Sequence, residues 1–358
     1  MLQYILRRLI LIPLTLFGIM LVNFVVIQFA PGGPVEQAIA QFSGLNVSTT
    51  ASVSTAESMG PSDQSAYMGA SGLDPEFIEE INKHFGFDKP SHERFVLMLW
   101  NYMRLDFGTS YFQDRSVLEI VLERLPVSLA LGLSSMFLIY SISIPLGIAK
   151  AVRDGAPFDI WTSAAVFTAY AIPQFLFAII LVVFFAGGEW LNWFPMRNLL
   201  SDSFDELGFF GRVFDVLWHI ALPVIALTMG GFATLTMLTK NCFLEEISKQ
   251  FVMTARAKGL TPKRVLFGHV FRNAMLIVIS GFPAAFVGII FTGAFLIEVI
   301  FSLDGIGLLG YEAVVVRDYP ILFATLFCFS LLALVMQLIG DLVYVLVDPR
   351  IDFEKRVT

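Results

Sequence analysis

The sequence predicts an all-α membrane protein with six transmembrane helices, and three observations support this fold class. Apolar residues make up 56% of the 358 residues, charged residues only 15%, and 36 residues are Phe. A soluble domain carries about 25% charged residues, so this chain lacks the charge to cover a water-facing surface. Six runs free of Asp, Glu, Lys and Arg are each 20 to 29 residues long. The composition therefore excludes a soluble enzyme, a nucleic-acid-binding protein and a disordered chain.

The six uncharged runs set the predicted spans. A helix rises about 1.5 Å per residue, so about 20 residues cross the roughly 30 Å hydrocarbon core of a bilayer. Helices are expected because a backbone in lipid must satisfy its own hydrogen bonds, and the runs lack the alternation typical of a β-barrel. The predicted spans are Leu9–Ala30, Leu125–Ala149, Ile160–Gly188, Val216–Thr239, Ala274–Ile297 and Ile321–Gly340.

The first run has the features of an uncleaved span rather than of a signal peptide. Arg7 and Arg8 precede it, and Ala38-Ile39-Ala40 resembles a cleavage site. However, its 22 uncharged residues exceed the core of a signal peptide, which has about 7–15 residues. We therefore expect the first run to remain in the membrane.

Lys and Arg near the ends of the spans predict the orientation. With a cytoplasmic N-terminus, 14 basic residues lie in the inner segments and 3 in the short outer loops. The inner segments are 1–8, 150–159, 240–273 and 341–358, and the short outer loops are 189–215 and 298–320. This bias predicts six spans with both termini in the cytoplasm.

The topology divides the chain into four parts. Residues 1–30 form an N-terminal segment with the first span, and residues 31–124 form a large outer segment. Residues 125–347 form the membrane core with the inner loop 240–273, and residues 348–358 form a cytoplasmic tail.

The outer segment is predicted to combine a flexible loop with short helices. Residues 43–72 are rich in Ser, Thr, Ala and Gly, which favours a flexible loop. Within 74–124, Asp74 and Ser91 can each cap a helix, and the second of these helices is aromatic enough to lie at the membrane interface. Ser116 opens a capping box that leads into the second span. These helices either pack on the outer ends of the spans or dock a partner.

The inner loop predicts two helices with a tight break between them. Gly259 is suited to end a helix over residues 243–258, and Thr261 with Pro262 is suited to start the next. Before the break, Thr254-Ala255-Arg256-Ala257-Lys258-Gly259 interleaves small residues with two cations. Small side chains let a partner approach, and the cations can pair with its carboxylates. The alternative is positive-inside bias alone, which requires basic residues but no helix–stop–helix arrangement.

The motifs of the chain, taken in order, resemble those of a known family. They lie at residues 4–9, 30–34, 106–110, 124–126, 144–148, 254–260, 272–274, 298–301, 317–320 and 348–350. The chain resembles the membrane permease subunit of ATP-binding-cassette (ABC) importers for dipeptides and oligopeptides, which have the type I importer fold. Asp304-Gly305-Ile306-Gly307 replaces the family's common Pro-Gly-Leu-Gly, and this change suits the branch that imports microcin C and oligopeptides.

The resemblance implies a subunit of a larger transporter in the bacterial inner membrane. A second, homologous permease would complete the path, and a periplasmic binding protein would deliver the peptide. Two ATPase subunits would bind ATP and Mg, and the 254–260 loop, which ends at Leu260, would seat on one of them. No catalytic residue, cofactor, metal or nucleic acid is implied for this chain itself.

The residues agree with this division of labour. The chain contains no G-x-x-x-x-G-K-[ST] motif for ATP binding. An ion-coupled secondary transporter of small solutes is the main alternative, but it needs charged groups near mid-membrane, and the six runs hold none. An intramembrane hydrolase is disfavoured because His84, His92, His219 and His269 are scattered without a catalytic spacing.

Two further groups of residues are candidate sites. Ser280, Ala284, Gly288 and Thr292 recur every four residues and put small groups on one face of the fifth span, where a helix of the same or another subunit can approach. Asp304, Gly305, Arg317 and Asp318 form either an outer gate or docking surface, or a plain solvated loop.

Four of the prolines inside the runs are candidates to kink their helices, and two of these four are candidate hinges for the inner loop. They are Pro145, Pro173, Pro223 and Pro283, of which Pro223 and Pro283 lie toward the ends of the unit that carries the loop.

Overall fold

The computed structural model describes residues 2–29, 89–186, 190–288 and 295–347. Within these ranges the regular structure is helical without a β-strand, and one isolated bridge joins Thr109 to Ser116. The predicted flexible loop 43–72, the helix expected from Asp74 and the tail 348–358 lie outside the described residues. The predicted all-α class is confirmed.

Long apolar helices alternate with short ones along the chain. In order they are α1 (Leu2–Phe29), α2 (Ser91–Tyr102), α3 (Val117–Val152), α4 (Pro157–Ala171), α5 (Gln174–Phe185), α6 (Phe209–Ile247), α7 (Gln250–Ala257), α8 (Pro262–Val265), α9 (Phe271–Ser280), α10 (Phe282–Gly288), α11 (Phe295–Ile300), α12 (Ile306–Val316) and α13 (Tyr319–Val347). A 3₁₀ turn, Phe204–Glu206, precedes α6, and a π-helical turn, Leu266–Val270, joins α8 to α9.

Five stretches are long and apolar enough to cross a membrane, and a sixth candidate is a bent pair of helices. The bent pair covers the predicted third span, and the kink expected at Pro173 is confirmed, because α4 and α5 meet there at 93°. The cause lies at Ile172, which has the extended φ of −82° and ψ of 122°. Pro173 disfavours helical geometry at the residue before it and has no N–H to continue the helix.

The inner loop has one break more than predicted. A single helix over 243–258 is wrong, because α6 ends at Ile247 and α7 starts at Gln250 after an extended Lys249 with ψ of 152°. The second break is confirmed. Gly259 has φ of +78°, which favours glycine, and Thr261 is the N-cap of α8 with Pro262 as its first residue.

The helix starts in the outer segment differ in detail from those predicted. Pro90 rather than Ser91 is the N-cap of α2, and no side chain caps that helix. The helix expected after Ser116 does begin at Val117, but it continues without interruption to Val152. Pro145 therefore lies inside an unbroken helix, as Pro223 does inside α6.

The described residues fall into two compact units. The first contains residues 2–11, 124–309 and 331–347 and includes the inner loop. One hydrophobic core of this unit joins α3, α6, α7 and α9 through residues such as Phe243, Val252, Val270 and Ala274, which are at most 1% exposed. The second unit contains residues 12–29, 89–123 and 310–330, with Phe24, Phe95 and Phe323 in ring contact at its centre.

Candidate functional site

The 254–260 loop is mostly exposed, and it is held in place by residues of α7 that are buried in the core. Val252 and Ala255 face the core, whereas Thr254, Arg256, Ala257, Lys258 and Gly259 are exposed and Leu260 is partly buried. The Gly259 N–H donates to the Arg256 carbonyl at 2.9 Å, and the Leu260 N–H donates to the Ala255 carbonyl at 3.4 Å. These bonds close the turn that follows α7, and they leave both cations pointing away from the core.

Close helix packing supports the loop from behind. Gly147 of α3 lies against α6, where an added Cβ would be 2.6 Å from the Thr239 Cβ and 2.8 Å from the Thr236 carbonyl oxygen. Since real Cβ atoms do not approach so closely, only glycine allows this contact. The contact lies on α6 at Thr236 and Thr239, 11 residues or more before α7 begins at Gln250.

A buried ion network joins the end of α3, the start of α4 and the last turns of α6, and sequence reasoning missed it. The Lys150 ammonium is fully buried and lies 3.1 Å from Asp159 Oδ1. It also donates to the hydroxyls of Thr162 and Ser163 at 2.9 and 2.7 Å. The same carboxylate accepts a bond from the Lys240 ammonium at 2.7 Å through Oδ2. Two cations on different helices therefore share one buried carboxylate.

A second acidic residue completes the network, since Asp154 Oδ1 lies 2.8 Å from the Lys240 ammonium. Charge is thus balanced between Lys150, Lys240, Asp154 and Asp159. Such a network ties three helices together ten residues before α7. The sequence did show these charges immediately outside the uncharged runs. Their mutual contact was not readable, because Asp159 and Lys240 are 81 positions apart.

The surface around α7 also holds charge pairs. Lys249, in the extended break before α7, donates a hydrogen bond to the Glu246 carboxylate, and this bond raises the pKa of the Lys249 ammonium. Asn273 approaches the other oxygen of Glu246 at 3.5 Å. These contacts place a partly buried carboxylate, with its side chain 12% exposed, beside α7.

The outer candidates Asp304 and Gly305 belong to a turn built around a buried carboxylate. Glu298 is fully buried and accepts hydrogen bonds from Ser128 Oγ at 3.0 Å and the Leu308 N–H at 2.7 Å. Gly305 is buried against that carboxylate, and Asp304 is exposed and pairs with Arg124 at 3.2 Å. Only Asp304 of these two offers a side chain to the surface.

The other two outer candidates, Arg317 and Asp318, lie in the second unit. Arg317 has a positive φ of +58°. Asp318 is 1% exposed and accepts hydrogen bonds from the Ser110 hydroxyl and from the Tyr111 N–H, the latter at 3.3 Å. Burial, with the Asp318 charge as a second cause, raises the pKa of Tyr111 to about 12. Asp318 therefore anchors the loop that follows α2 through buried hydrogen bonds. The gate or docking role predicted for Asp304, Gly305, Arg317 and Asp318 stays a prediction.

The small-residue face of the fifth span borders open space. Ala284 is exposed, and a Cβ added at Gly288 would meet no atom within 4 Å. Ser280 and Ala284 line a cavity of about 630 Å³ together with residues of α13. Thr292 lies outside the described residues. Among the described residues, the face is therefore open at Gly288 and is separated from α13 by the cavity at Ser280 and Ala284.

Within the ranges that the structure describes, no cluster of three or more His, Cys, Asp or Glu residues is arranged to hold a metal ion. The two cysteines are not paired: Cys242 is buried in the core and Cys328 is partly buried. The buried charged groups described above bond to residues of neighbouring helices: Asp159 pairs with Lys150 and Lys240, and Glu298 accepts a hydrogen bond from Ser128.

The described residues form a helical membrane protein whose cationic 254–260 loop is held to the hydrophobic core by Val252 and Ala255. Comparison with known proteins identifies its class. The family model for the inner membrane component of binding-protein-dependent transport systems matches residues 143–353. The chain belongs to this family, whose members are permease subunits of ABC importers. The matched region contains the ion network, the 254–260 loop and the cavity wall.

Two relatives are similar along their whole length. The Peptidoglycan transport system permease protein YejB of Agrobacterium fabrum is 56% identical, with 99% of each chain covered. The Oligopeptide transport system permease protein AppB of Bacillus subtilis is 32% identical over 99% of this chain and 100% of the relative. Among solved structures, the inward-facing MetNI methionine ABC transporter gives a TM-score of 0.49 at 17% identity, covering 64% of this chain and 97% of that one.

Proposed function

We propose that this chain is a membrane-spanning permease subunit of an ATP-driven importer of oligopeptides. It forms the translocation path with a second permease, receives peptides from a periplasmic binding protein and is driven by two ATPase subunits that bind ATP and Mg. Both of its termini face the cytoplasm of the bacterial cell. The chain carries out no chemical reaction itself.

The geometry of the 254–260 loop carries this proposal. Arg256 and Lys258 are exposed beside the small Ala257 and Gly259, while Val252 and Ala255 fix the helix to the core. A partner with carboxylates can approach these small residues closely and pair with the cations. Because Val252 and Ala255 pack in one hydrophobic core with residues of α3, α6 and α9, a push on the loop is transmitted to spanning helices rather than absorbed locally.

The substrate class follows from the relatives rather than from the loop. The names of the two relatives refer to peptidoglycan transport and to oligopeptide transport. We therefore place oligopeptides and peptides derived from peptidoglycan in the substrate class of this transporter. We add microcin C-like peptides because Asp304-Gly305-Ile306-Gly307 resembles the microcin C branch.

The test is a charge insertion in the loop of the assembled transporter. Ala257→Glu adds a large anion on the exposed surface, where it repels the carboxylates of the partner. We expect ATP hydrolysis to lose its dependence on peptide-loaded binding protein and peptide uptake to fall at least tenfold. Uptake of labelled oligopeptide and ATP hydrolysis are measured in the same reconstituted vesicles.

Ala257→Ser is the matched control, because it keeps the side chain small and uncharged at the same position. It should retain coupled uptake, with both variants inserted in the membrane at wild-type levels. Coupled uptake by Ala257→Glu at the wild-type rate would remove the loop from the mechanism. Uptake that follows a proton gradient without ATPase subunits would instead favour the ion-coupled alternative.

A further inference from the structure

The cavity beside the fifth span has the size of a ligand site. Its volume of about 630 Å³ lies inside the range of about 300–1,000 Å³ that is usual for small-molecule sites. Ser280, Pro283 and Ala284 line one side, and Gln337, Gly340 and Asp341 of α13 line the other. A Cβ at Gly340 would lie 2.8 Å from Pro283 Cγ, so the two sides are in close contact there. The cavity is therefore a fixed feature of the packing of α10 against α13.

The wall formed by α13 is polar although the helix is apolar. Gln337 is exposed and lies one helical turn before Asp341, so both lie on the same face. A polar side chain exposed to lipid is unfavourable by several kcal/mol unless it finds a hydrogen-bond partner (about 2–7 kcal/mol). Polar residues within spans accordingly face water, another protein or a transported molecule.

The wall carries no excess charge. Asp341 Oδ2 pairs with Arg8 Nη2 at 2.9 Å, and both side chains are partly buried, at 24% and 33% exposure. The carboxylate is therefore already balanced and does not define a site for a cation. What remains in the cavity is a neutral amide, a hydroxyl and small apolar groups. This lining suits an uncharged, hydrogen-bonding ligand of variable shape.

We propose that this cavity is a section of the peptide path in which the Gln337 side chain pairs with backbone amides of the passing oligopeptide. The Gln337 amide donates to a peptide carbonyl and accepts from a peptide N–H, which is the pairing that every peptide bond offers. Ser280 supplies a second polar contact from the opposite wall. Recognition through the backbone is independent of peptide sequence. The inference rests on the function proposed above, since it assigns part of the path of that transporter.

A helix of the second permease is the rival occupant. A transmembrane helix satisfies its own backbone hydrogen bonds, so it could pair with the Gln337 amide only through a polar side chain at the matching position. An extended peptide arrives with unpaired N–H and C=O groups that require partners. The polar wall therefore fits a peptide better than it fits a packed helix.

The direct test is photo-crosslinking in the complete transporter. A benzophenone amino acid replaces Gln337, or Ile339 in the control, and the complex in vesicles is supplied with binding protein, ATP and a radiolabelled tripeptide. Ile339 is also exposed, at 41%, but does not line the cavity, since two residues along a helix point to nearly opposite sides. We expect labelled peptide to crosslink from position 337, to be displaced by excess unlabelled peptide, and not to crosslink from position 339.

A second measurement uses Gln337→Leu, which keeps the side-chain size and removes the amide. Loss of one hydrogen bond to the peptide is expected to lower uptake about two- to tenfold at low peptide concentration, while ATP hydrolysis and complex assembly stay at wild-type levels. Ile339→Leu should leave uptake unchanged.

The outcomes separate this inference from the proposed function. Crosslinks from position 337 only to the second permease or to lipid, in vesicles that do take up peptide, would overturn the site and leave the transporter function standing. Wild-type uptake with Gln337→Leu would have the same meaning. A wild-type complex that takes up no peptide would overturn the proposed function and this inference with it.

Discussion

Two regions of the first unit handle polar groups in opposite ways. Where the end of α3, the start of α4 and the last turns of α6 meet, the charges of Lys150, Asp159 and Lys240 are buried and matched to one another. Along the cavity wall, Gln337 is exposed and Ala284 faces open space. The first region is complete within the chain, whereas the second presents unfilled space and an exposed amide.

The difference separates a region that stabilises the folded chain from a region whose polar group has no partner among the groups described here. A network with every charge matched rigidifies the helices that it joins, because removal of one member leaves another buried without a partner. The side chains of the cavity wall, such as Gln337 and Ala284, are exposed, so their contacts add little to the stability of the folded chain. Substitutions in the first region should therefore damage the folded chain, and those in the second should damage only function.

Lys240→Met should give the largest loss of stability. The substitution leaves the buried Asp159 carboxylate with one cation fewer, and breaking a buried ion pair destabilises a protein by about 3–5 kcal/mol. Lys249→Met is the control, since Lys249 is paired but exposed, and exposed pairs contribute little. Unfolding of both variants is followed in detergent by tryptophan fluorescence. Equal melting temperatures for the two variants would show that the network is not a structural link.

Gly147→Ala should have an intermediate effect, because the new Cβ has no space against Thr239. Overpacking of this kind destabilises a protein by about 1–3 kcal/mol. Gly288→Ala is the counterpart at the open wall, where a Cβ meets no atom within 4 Å, and it should leave stability unchanged or slightly improved. The same thermal unfolding assay compares the two, and a larger loss for Gly288→Ala would reverse the contrast drawn between the regions.

The smallest expected effect distinguishes two hydroxyl groups. Ser163→Ala removes one acceptor from the buried Lys150 ammonium and should reduce stability by about 1 kcal/mol. Ser280→Ala removes a hydroxyl from the cavity wall, where it bonds only to the carbonyl of Ile277 among the groups described here, and should change stability by less than about 0.5 kcal/mol. Chemical unfolding of the two variants, run side by side, compares their free energies of unfolding. An equal or larger loss for Ser280→Ala would contradict the prediction.

The elements that the sequence predicted well are those that depend on local composition. Uncharged runs of sufficient length predicted the spans, and Gly259 with Pro262 predicted the stop and restart of the inner loop. The bend before Pro173 was only partly foreseen, because Pro145 and Pro223 lie in unbroken helices. Whether a proline breaks a helix depends on tertiary partners, such as the bond from Gln174 to the Leu227 carbonyl at 2.7 Å.

The candidate site was predicted in part for the same reason. The exposure of Arg256 and Lys258 followed from their charge, but the burial of Asp318 did not, because its partners Ser110 and Tyr111 lie more than 200 positions away. The break at Lys249 also had no local signal, since no glycine or proline marks it. Long-range contacts of this kind are absent from composition and periodicity.

The bend between α4 and α5 fixes which side of the bilayer the rest of the chain occupies. If the bent pair crosses, four passages separate residues 1–8 from residues 240–273, and both segments share one compartment. If the pair turns back, only three passages remain, and the cationic segment lies across the membrane from the N-terminus. Two reporter fusions, one in residues 1–8 and one in residues 240–273, therefore distinguish the two cases. Reporters on the same side of the membrane show that the bent pair crosses it, and reporters on opposite sides show that the pair turns back.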